Sequence, residues 1–600
     1  MKSWDHWLTS PWRRSVIAAG AGALPLVAFP APSLWWCAPV ALVPWILLAR
    51  GAVSGRRALY DGWCGGFGFV LGVHHWLLPN LHVFTFVVAA LLGALWAPWG
   101  WLVRRFLGGP PSPGRVGAAL LVLPSGWLAV ELVRSWQALG GPWGMLGASQ
   151  WQVAPALRLA SVGGVWLLSF LLVAVNVAVA VLVVVAVVLR ARRVSAVDGG
   201  RGSAVTGPMA ETGNQTPATS GSQVPATTGS QAPATTGPPA TTGNQAPATP
   251  GPAATTGGRV PAVAGLVAVA GLVVSAAAAS LAWVWAPRPE VGERVAVAVV
   301  QPGIVEGADS GDRRFEREER LTRELAGRGV ELIVWGESSV GFDLTERPDL
   351  AARIAALSRE TGAEILVNVD ARRFDRAGIH KSSVLVGPQG LTGDRYDKMR
   401  LVPFGEYVPA RSLLGWATSV GQAAGEDRER GTRQVVMDVG DGLRIGPMVC
   451  FESAFPDMSR SLARDGAQVL IAQSATSTFQ RSWAPEQHAS LAALRAAETG
   501  RPMVHATLTG VSAVHGPDGE RVGAPLGTEA SVTRVYEVPL ADGVTPYVRY
   551  GAWPVWVALL VLAGLGLAEG LRAVRPRRDR PAPHAPRART ARAWRGRPGR

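Results

Sequence analysis

The sequence predicts a membrane protein in which a bundle of apolar helices carries a separate α/β domain. Of its 600 residues, 48% are hydrophobic and only 17% are charged. The apolar residues cluster before Pro287 and after Gly551, and between these positions short β-branched runs alternate with polar stretches of helical pattern. Because lipid can solvate long apolar segments that a protein core cannot hold, this distribution indicates one membrane part and one globular part.

Eight apolar segments are candidates for membrane spans, since a helix needs roughly 20 apolar residues to cross a bilayer core. The first two are short, which leaves a re-entrant pair open as an alternative. Because another apolar run follows the first at once, we expect a retained anchor and not a cleaved signal peptide. The eight segments cover residues 16–31, 34–48, 62–78, 84–103, 117–132, 159–189, 263–286 and 553–571.

The arginines between the spans predict a topology. They group on alternate connections, and connections rich in lysine and arginine stay on the cytoplasmic side. Eight spans then place both termini in the cytoplasm and residues 287–552 on the extracytoplasmic face of the cell membrane. The groups are Arg13 and Arg14; Arg50, Arg56 and Arg57; Arg104, Arg105 and Arg115; and Arg190, Arg192 and Arg193.

Two segments fall outside the predicted folded parts. Residues 194–259 contain near-copies of SQxPATTG and few large apolar side chains, so their composition predicts a disordered cytoplasmic linker. After Leu571, eleven arginines face one acid, Asp579, in a chain whose net charge is +15. A basic tail behind an apolar span is typical of a cytoplasmic anchor, and we expect no nucleic-acid partner.

The middle of the chain predicts a layered α/β domain. Helical stretches alternate with β-branched runs throughout it. The runs are 295–301, 331–335, 364–370, 382–387, 444–450, 468–473 and 503–508, and the helical stretches are 312–327, 349–362, 455–465 and 484–500. The predicted organisation is spans one to six in 1–193, the linker in 194–259, span seven in 260–287, the extracytoplasmic domain in 288–545, span eight in 546–571 and the tail in 572–600.

Three residues with reactive side chains lie where predicted strands end. At the ends of strands in α/β sheets, side chains face a crevice. Glu337 follows ELIVWG, Cys450 closes RIGPMVC, and Lys398 lies in the loop YDKMRLVPFGEYVP. Taken singly, each also fits a structural role as a helix cap, an apolar filler or a solvated charge, respectively. The other cysteines, Cys37 and Cys64, form no paired spacing with Cys450, so we expect no disulfide framework, zinc site or other cofactor.

The segments around these residues resemble the three signature segments of the nitrilase, or carbon–nitrogen hydrolase, superfamily. They are WGES at 335–338, KMRLVPFGEYVP at 398–409 and CFE at 450–452. More narrowly, LVPFGEYVP resembles the membrane branch of that superfamily, the apolipoprotein N-acyltransferases. The segments 124–136, 140–150 and 545–556 resemble the same family, so the likeness extends to the membrane part. The resemblance implies a nitrilase-like αββα sandwich as the fold of the extracytoplasmic domain.

The resemblance also implies an acyltransferase with a triad of Glu337, Lys398 and Cys450. A thiol is mostly protonated near neutral pH and needs a base, for which Glu337 is the candidate. Attack on an acyl ester builds negative charge on the carbonyl oxygen, which the Lys398 ammonium and the amide after Cys450 would stabilise.

Supporting residues and substrates follow from the same resemblance. The supporting site residues are Glu406, Phe451 and Glu452. The two carboxylates orient Lys398 or the incoming amine, or else form structural ion pairs. The family reaction moves an acyl chain from a phospholipid to Cys450 as a thioester, and then to the α-amine of an S-diacylglyceryl cysteine on a lipoprotein. The predicted partners are therefore two lipids anchored in the bilayer.

Two other functions stay open from the sequence. The same triad serves a membrane-tethered amidase or nitrilase in which water replaces the amine. A non-catalytic scaffold would result if segments that depart from the family pattern had cost activity. There are three such departures: SATSTFQ at 474–480, which keeps only Ser474 and Phe479 of the pattern; Gly336, where the family usually has proline; and QPGIVEGADSG at 301–311, which lacks an expected tryptophan. They bear on substrate preference, above all on the acceptor, more than on the triad.

Polar and aromatic residues in the spans support two further expectations. Glu131 and Arg134 lie three residues apart on one helical face, which predicts an ion pair turned into the bundle. Tryptophans near the ends of spans are typical of interface anchors. The tryptophans so placed are Trp35, Trp36, Trp96, Trp99, Trp101, Trp143, Trp553 and Trp556.

Overall fold

The structure, a computed structural model, describes residues 10–202, 259–307, 309–414, 426–440 and 442–574. The predicted linker and basic tail lie outside these residues, apart from 194–202, 259 and 572–574. Within the described residues the chain forms a bundle of apolar helices and an α/β sandwich. The predicted fold class is confirmed, while the number of spans and their orientation stay predictions.

The helical part contains helices of very different length. Proline in the first turn opens several of them, where its missing N–H leaves no hydrogen bond unmade. The helices are Pro11–Ala23 (α1), Ala38–Ala41 (α2), Val43–Arg50 (α3), Gly55–Val73 (α4), Leu78–Leu81 (α5), Phe84–Gly93 (α6), Ala97–Leu107 (α7), Pro113–Arg134 (α8), Ala154–Gly202 (α9) and Arg259–Trp285 (α10). Five described stretches are long and apolar enough to cross a membrane, namely Phe84–Leu107, Pro113–Arg134, Ala154–Val194, Arg259–Trp285 and Trp553–Val574.

Aromatic rings fill the centre of the helical bundle. Trp45, Trp96, Trp99 and Trp127 are each at most 1% exposed. Their rings pack at centroid distances between 4.9 and 5.9 Å. The interface role predicted for Trp96 and Trp99 is therefore wrong, because each indole is buried among other tryptophans. Trp556, which is 67% exposed, keeps a position that suits an interface anchor.

The predicted ion pair between Glu131 and Arg134 does not form in the described structure. The Glu131 carboxylate accepts hydrogen bonds from the Trp127 indole N–H at 2.9 Å and from the Leu146 N–H at 2.8 Å. The Arg134 guanidinium donates to the Trp143 carbonyl. Residues three apart on a helix are neighbours, but the loop after α8 folds back over the helix end and offers both groups backbone partners.

Helix α9 is interrupted near its start, at Gly163 and Gly164. Gly164 has φ +69°, and a Cβ there would lie 2.6 Å from the Tyr547 ring. The position therefore needs glycine both for its backbone conformation and for the close approach. At the break the Val165 N–H donates to the buried Glu498 carboxylate at 2.7 Å, which fastens the helix to the sandwich.

The sandwich consists of two six-stranded mixed sheets. The strands are Glu290–Gln301 (β1), Leu332–Trp335 (β2), Glu364–Arg372 (β3), Ile379–Gly387 (β4), Gly390–Asp397 (β5), Met437–Val439 (β6), Leu443–Val449 (β7), Val469–Ser474 (β8), Met503–Thr507 (β9), Ser512–His515 (β10), Arg521–Leu526 (β11) and Val532–Asp542 (β12). The strand orders are β12-β1-β2-β3-β4-β5 and β11-β10-β9-β8-β7-β6. Strands β1 to β3 are parallel, as are β7 to β9, and the outer strands are antiparallel.

Apolar side chains of the first sheet point into two separate cores. Val300 and Ile333 pack with Phe315 under the outer helices, whereas Val297 and Val334 pack on the second sheet. Strands buried on both faces are apolar throughout, which explains why the sequence predicts them. The helices of this part and the last apolar helix are Ser310–Arg323 (α11), Pro348–Thr361 (α12), Arg411–Leu414 (α13), Pro456–Arg464 (α14), Ala484–Thr499 (α15), Pro546–Tyr550 (α16) and Trp553–Val574 (α17).

The sequence pattern predicts seven of the strands and misses β5, β6, β10, β11 and β12. Four of the missed strands, β5, β6, β11 and β12, are the edges of the two sheets. Edge strands have a partner on one side only and carry more polar residues. Strand β11, for example, has one buried residue, Leu526, among its six.

Candidate active site

Three strand ends bring the predicted triad together. Glu337 follows β2 in the first sheet, Lys398 follows β5 at the edge of that sheet, and Cys450 follows β7 in the second sheet. The Lys398 Nζ lies 3.2 Å from Glu337 Oε1 and 2.8 Å from Glu406 Oε1. The Cys450 thiol is hydrogen-bonded to the Glu337 carboxylate. The structure therefore gathers these four residues in one cluster between the sheets.

Cys450 stands at a strained corner of the backbone. Its φ is +52°, in the left-handed region that residues other than glycine seldom adopt. It ends β7 and opens the 3₁₀ turn Cys450–Ala454, so its side chain leaves the sheet. His488 Nε2 lies 3.0 Å from the Cys450 carbonyl oxygen and 3.0 Å from Ser453 Oγ, and supports this turn. A nucleophile on such a corner is presented to a substrate outside the sheet.

The Glu337 carboxylate is ionised in this cluster. Burial, the largest influence, would raise its pKa. The ammonium groups of Lys381 and Lys398, with hydrogen bonds from Lys381 and Cys450, outweigh burial and lower the pKa of Glu337 to about 2. A carboxylate that is ionised at neutral pH is able to accept a proton from a neighbouring thiol.

The Cys450 thiol keeps its proton in the resting cluster. Burial, followed by the negative charge of Glu337, raises the pKa of Cys450 to about 12. Burial acts to lower the pKa of Lys398, but Glu337 and Glu406 raise it well above its usual value. The resting cluster is thus a thiol, a carboxylate and an ammonium. Moving the thiol proton to Glu337 leaves the net charge of the cluster unchanged, so no uncompensated charge is created in a buried place.

The two predicted supporting carboxylates have different contacts. Glu406 accepts from Lys398 and also from the Val402 N–H at 2.8 Å, so it orients the ammonium directly. Glu452 is fully buried and holds the loop that follows Lys398 by its backbone. Its carboxylate accepts four hydrogen bonds of at most 2.9 Å, which tie that loop to the turn Cys450–Ala454. The donors are the Tyr396 hydroxyl and the N–H groups of Met399, Arg400 and Val449.

Phe451 packs the turn Cys450–Ala454 against the helical part. Its side chain is 7% exposed, and its ring meets Phe455 edge-on at 5.0 Å. A Cβ on Gly141, in the loop after α8, would lie 2.7 Å from the Phe451 ring and 2.8 Å from the Phe455 ring. Because Gly141 also has φ +68°, only glycine fits this place without displacing the two rings.

Two hydrogen bonds join the same loop to the site. Gln137 Nε2 donates to the Leu401 carbonyl at 2.8 Å, and Trp143 Nε1 donates to Gln487 Oε1 at 2.9 Å. Trp143 is 9% exposed at this junction, so the interface role predicted for it is wrong. The loop after α8 therefore contacts both the loop that carries Lys398 and helix α15, which packs behind the turn Cys450–Ala454.

The cluster contains a second ammonium group, that of Lys381, which the sequence pattern does not predict. Its Nζ lies 2.9 Å from Glu337 Oε1, closer than the Nζ of Lys398. It also lies 3.4 Å from Glu406 Oε1 and 3.7 Å from Asp370 Oδ2. Burial acts to lower the pKa of Lys381, but the carboxylates of Glu337 and Glu406 raise it above its usual value. Two ammonium groups therefore face two carboxylates beside the thiol.

The rarity of lysine in this chain is the feature of the sequence that could have identified Lys381. Among 58 lysine and arginine residues only three are lysines, namely Lys2, Lys381 and Lys398. Arginine thus supplies nearly all the positive charge of this chain. A lysine inside a β-branched strand indicates a place that suits a compact ammonium better than a planar guanidinium.

The segment 474–480, which departs from the family pattern, lies against the helical part. The Phe479 ring meets Trp76 edge-on at 4.9 Å, and Asn80 Nδ2 donates to the Thr478 carbonyl at 3.4 Å. On its other side, the Thr476 N–H donates to the Thr509 carbonyl. The segment therefore bridges the two parts of the molecule, and its effect on the acceptor stays a prediction.

Comparison with known proteins agrees with both parts of the chain. The pattern of the Carbon-nitrogen hydrolase family matches residues 296–544, and that of the Apolipoprotein N-acyltransferase N-terminal domain matches residues 21–178. The apolipoprotein N-acyltransferase of Geobacter metallireducens is 30% identical over 580 residues, which cover 92% of this chain and 95% of that protein. The chain belongs to the apolipoprotein N-acyltransferase family.

Further members of the apolipoprotein N-acyltransferase family match over a similar length. The protein of Azotobacter vinelandii is 28% identical, over 96% of this chain and 98% of its own length. Among solved structures, Saccharomyces cerevisiae Nit3, a member of branch 10 of the nitrilase superfamily, is 17% identical with a TM-score of 0.32, and covers 44% of this chain and 96% of its own. Membership of the apolipoprotein N-acyltransferase family rests on the sequence matches, which extend over almost the whole chain.

Proposed function

We propose that this protein transfers a fatty acyl group from a phospholipid, through a thioester on Cys450, to the α-amino group of the S-diacylglyceryl cysteine of a lipoprotein. The observation that carries the proposal is the cluster of Glu337, Lys398 and Cys450 packed against the loop after α8. A thiol at that junction is within reach of esters anchored in the bilayer. The activity named for the relatives in this family supports the same reaction.

The first half-reaction forms the thioester. The Cys450 sulfur attacks the ester carbonyl of the phospholipid while Glu337 accepts the thiol proton. The lysophospholipid alcohol then leaves as the carbon–oxygen bond breaks, and it takes that proton from Glu337. The released lysophospholipid carries a neutral hydroxyl group. The acyl group stays on Cys450, and Glu337 is ionised again.

The second half-reaction transfers the acyl group to nitrogen. The neutral α-amine attacks the thioester carbonyl, and Glu337 accepts a proton from the amine nitrogen. The carbon–sulfur bond breaks, and the Cys450 sulfur takes the proton back from Glu337. The products are an amide and the resting thiol, so the enzyme returns to its initial protonation state.

Lys398 is suited to stabilise the oxyanion in both steps. A lysine ammonium has three N–H donors, and two of those of Lys398 are engaged by Glu337 and Glu406. The third is available for the carbonyl oxygen of the substrate. Because the ammonium is fully buried, its interaction with a developing negative charge is stronger than it would be in water.

Lys381 acts through Glu337 and is a positioning residue. The charged groups that face Glu337 are Lys381 and Lys398, and Glu406 and the Asp370–Arg428 ion pair lie next to them. Lys381 holds the carboxylate in its ionised form, in which it is able to accept the thiol proton. It also neutralises Glu406, so that Lys398 keeps a donor for the substrate.

We expect Lys381→Met to raise the pKa of Glu337 from about 2 towards its usual range. Glu337 accepts a proton only when ionised, so activity is retained above its pKa and lost as the pH falls through it. The acid limb of the pH profile of kcat/KM for Cys450 acylation therefore moves to higher pH in the variant. The measurement is the acylation rate from phospholipid across the acid range.

Lys381→Arg is the matched control, because it keeps the positive charge, and its acid limb is expected to stay at low pH. A structural defect would lower the rate of Lys381→Met equally at every pH. An unmoved acid limb in Lys381→Met would contradict the role given to Lys381.

We place residues 288–545 on the extracytoplasmic face as the catalytic domain, with both termini in the cytoplasm. Arg50, Arg104 and Arg115 all donate to backbone carbonyls at one end of the bundle. Helix α8 runs from that end to the active-site loop, so the sandwich is attached at the opposite end. Arginine-rich connections on the cytoplasmic side support this orientation.

The proposed reaction is tested with the purified full-length protein in phospholipid vesicles, using a diacylglyceryl peptide with a free α-amine as acceptor. We expect mass spectrometry to detect the N-acylated peptide and, without the acceptor, one acyl chain on Cys450. If the protein hydrolysed simple amides and transferred no acyl group, the proposal would be wrong and the protein would be an amidase. A protein that neither acylates Cys450 nor consumes either substrate would be a non-catalytic scaffold.

A further inference from the structure

A cavity of about 490 Å³ opens where the sandwich meets the helical part. Its walls are the start of α9, the end of α10 and the turn between β10 and β11. Glu337, Lys398 and Cys450 take no part in its lining, so it is separate from the active site. The side chains that decide its chemistry are Trp151, Arg158, Trp283, Arg288, Asp518 and Arg521.

Positive charge converges on this cavity. Arg158 is 5% exposed and pairs with Asp518 at 2.8 Å, yet its buried Nε has no hydrogen-bond partner in the described structure. Arg288 is close enough to oppose the charge of Arg158, and Arg521 acts in the same way on the buried His515. Like charges brought together with one buried donor unsatisfied favour a bound anion.

The guanidinium groups of Arg288 and Arg521 are free for a ligand. Neither forms a side-chain hydrogen bond or ion pair with any residue in the described ranges. Each guanidinium carbon instead lies over a tryptophan ring, that of Arg288 at 5.6 Å from the Trp283 centroid and that of Arg521 at 5.7 Å from the Trp151 centroid. A cation–π contact uses none of the N–H groups as hydrogen-bond donors, and arginine binds phosphate through two such groups.

The charges of the lining match a ligand with one negative charge. Three guanidinium groups, of Arg158, Arg288 and Arg521, face two carboxylates, of Asp518 and Glu520. One positive charge is left over. A phosphate diester neutralises that charge, and a Glu520 carboxylate is available to hydroxyl groups beside the phosphate.

The cavity lies beside the C-terminal end of α10, where the apolar residues of that helix end. Leu281 and Val284, just before the helix end, are 57% and 69% exposed, and Trp285 is 78% exposed. Helix α10 is one of the helices able to span a membrane, and most of its apolar residues are not buried in the described structure. Apolar surface for acyl chains therefore lies next to a cavity for a phosphate, with tryptophan at the boundary.

We propose that this cavity binds the phosphate of an anionic phospholipid, with the acyl chains of the lipid along α10. It is a lipid site of its own, distinct from the thiol that receives the acyl group. The site does not depend on the proposed acyl transfer, because it rests on the arginines, the tryptophans and the exposed face of α10 alone.

The test is crosslinking of a photoactivatable phosphatidylglycerol to the full-length protein in phosphatidylcholine nanodiscs. We expect labelled peptides that contain residues 151–158 and 283–288. Each arginine at a membrane surface contributes about a factor of five in affinity, so Arg288→Gln with Arg521→Gln is expected to lower the affinity roughly thirtyfold. Unlabelled phosphatidylglycerol should compete for the label.

The matched control is Arg320→Gln with Arg328→Gln, which removes the same charge from exposed positions outside the cavity. Its labelling should equal that of the unaltered protein, and unchanged melting temperatures show that both double variants fold. Equal labelling of all three proteins would overturn the proposal. Inorganic phosphate is tested at the concentration at which unlabelled phosphatidylglycerol competes. If it competed fully, the cavity would be a site for free phosphate, and the lipid assignment would be overturned.

Discussion

Cys450→Ser is expected to abolish acyl transfer, with a loss of at least about a thousandfold, as is found when a catalytic nucleophile is removed. A hydroxyl holds its proton more tightly than a thiol and is a weaker nucleophile, so proton transfer to Glu337 is much less favourable from serine than from cysteine. The measurement is the intact mass of the protein after incubation with phospholipid. The unaltered protein should gain one acyl chain, and the variant should gain none.

Cys37→Ser is the matched control for this experiment. Cys37 is also half-buried and free, but it lies in the helical part away from Glu337 and Lys398. Its replacement should leave both the acyl-enzyme and the transfer rate unchanged. Acyl transfer by Cys450→Ser at a rate close to that of the unaltered protein would rule out a covalent route through residue 450.

Glu337→Gln is expected to change two properties of Cys450 in opposite directions. Acyl transfer should fall by about a thousandfold, since an amide is unable to accept the thiol proton. Alkylation of Cys450 by iodoacetamide at neutral pH should become faster. The reason is that the negative charge of Glu337 is, after burial, the largest influence that raises the pKa of the thiol to about 12. Without that charge, Lys381 and Lys398 lower the pKa and increase the thiolate fraction.

The two readouts distinguish loss of the base from loss of the fold. A misfolded protein would lose acyl transfer and would alkylate all three cysteines, whereas the expected variant alkylates faster at Cys450 alone. Glu346→Gln, at an exposed position on the loop after β2, is the matched control and should change neither rate. Slower alkylation of Cys450 in Glu337→Gln would contradict the electrostatic account of the site.

The sequence identifies the residues at strand ends that form the candidate site, but it does not reveal how the charges of the site balance. Glu337 and Cys450 follow buried strands, whose apolar runs are visible in the sequence, and the segment around Lys398 resembles a known signature. Lys381 lies in the interior of β4, opposite Asp370 of β3. Its approach to Glu337 depends on the pairing of strands that are distant in sequence, and no local pattern reports such a register.

The fold was predictable where strands are buried on both faces. Strand β2, the second half of β1 and the first four residues of β8 are buried and apolar, and the sequence predicts them, whereas the four edge strands have a more mixed composition and are not predicted. In the helical part the positions of apolar segments were visible, but the direction of a side chain was not. Trp96 and Trp99 lie near predicted span ends, and only the packing of the helices turns their indoles into the bundle.

The contact between Gly141 and Phe451 limits how this enzyme can be recombined with its relatives. A chimera that joined the sandwich of this protein to the helices of another would bring a foreign loop against the Phe451 ring. A single methyl group at position 141 would already press on the rings of Phe451 and Phe455, in and directly after the turn that begins at Cys450. A working chimera therefore takes residues 137–143 from the same parent as the sandwich, whatever the origin of the remaining helices.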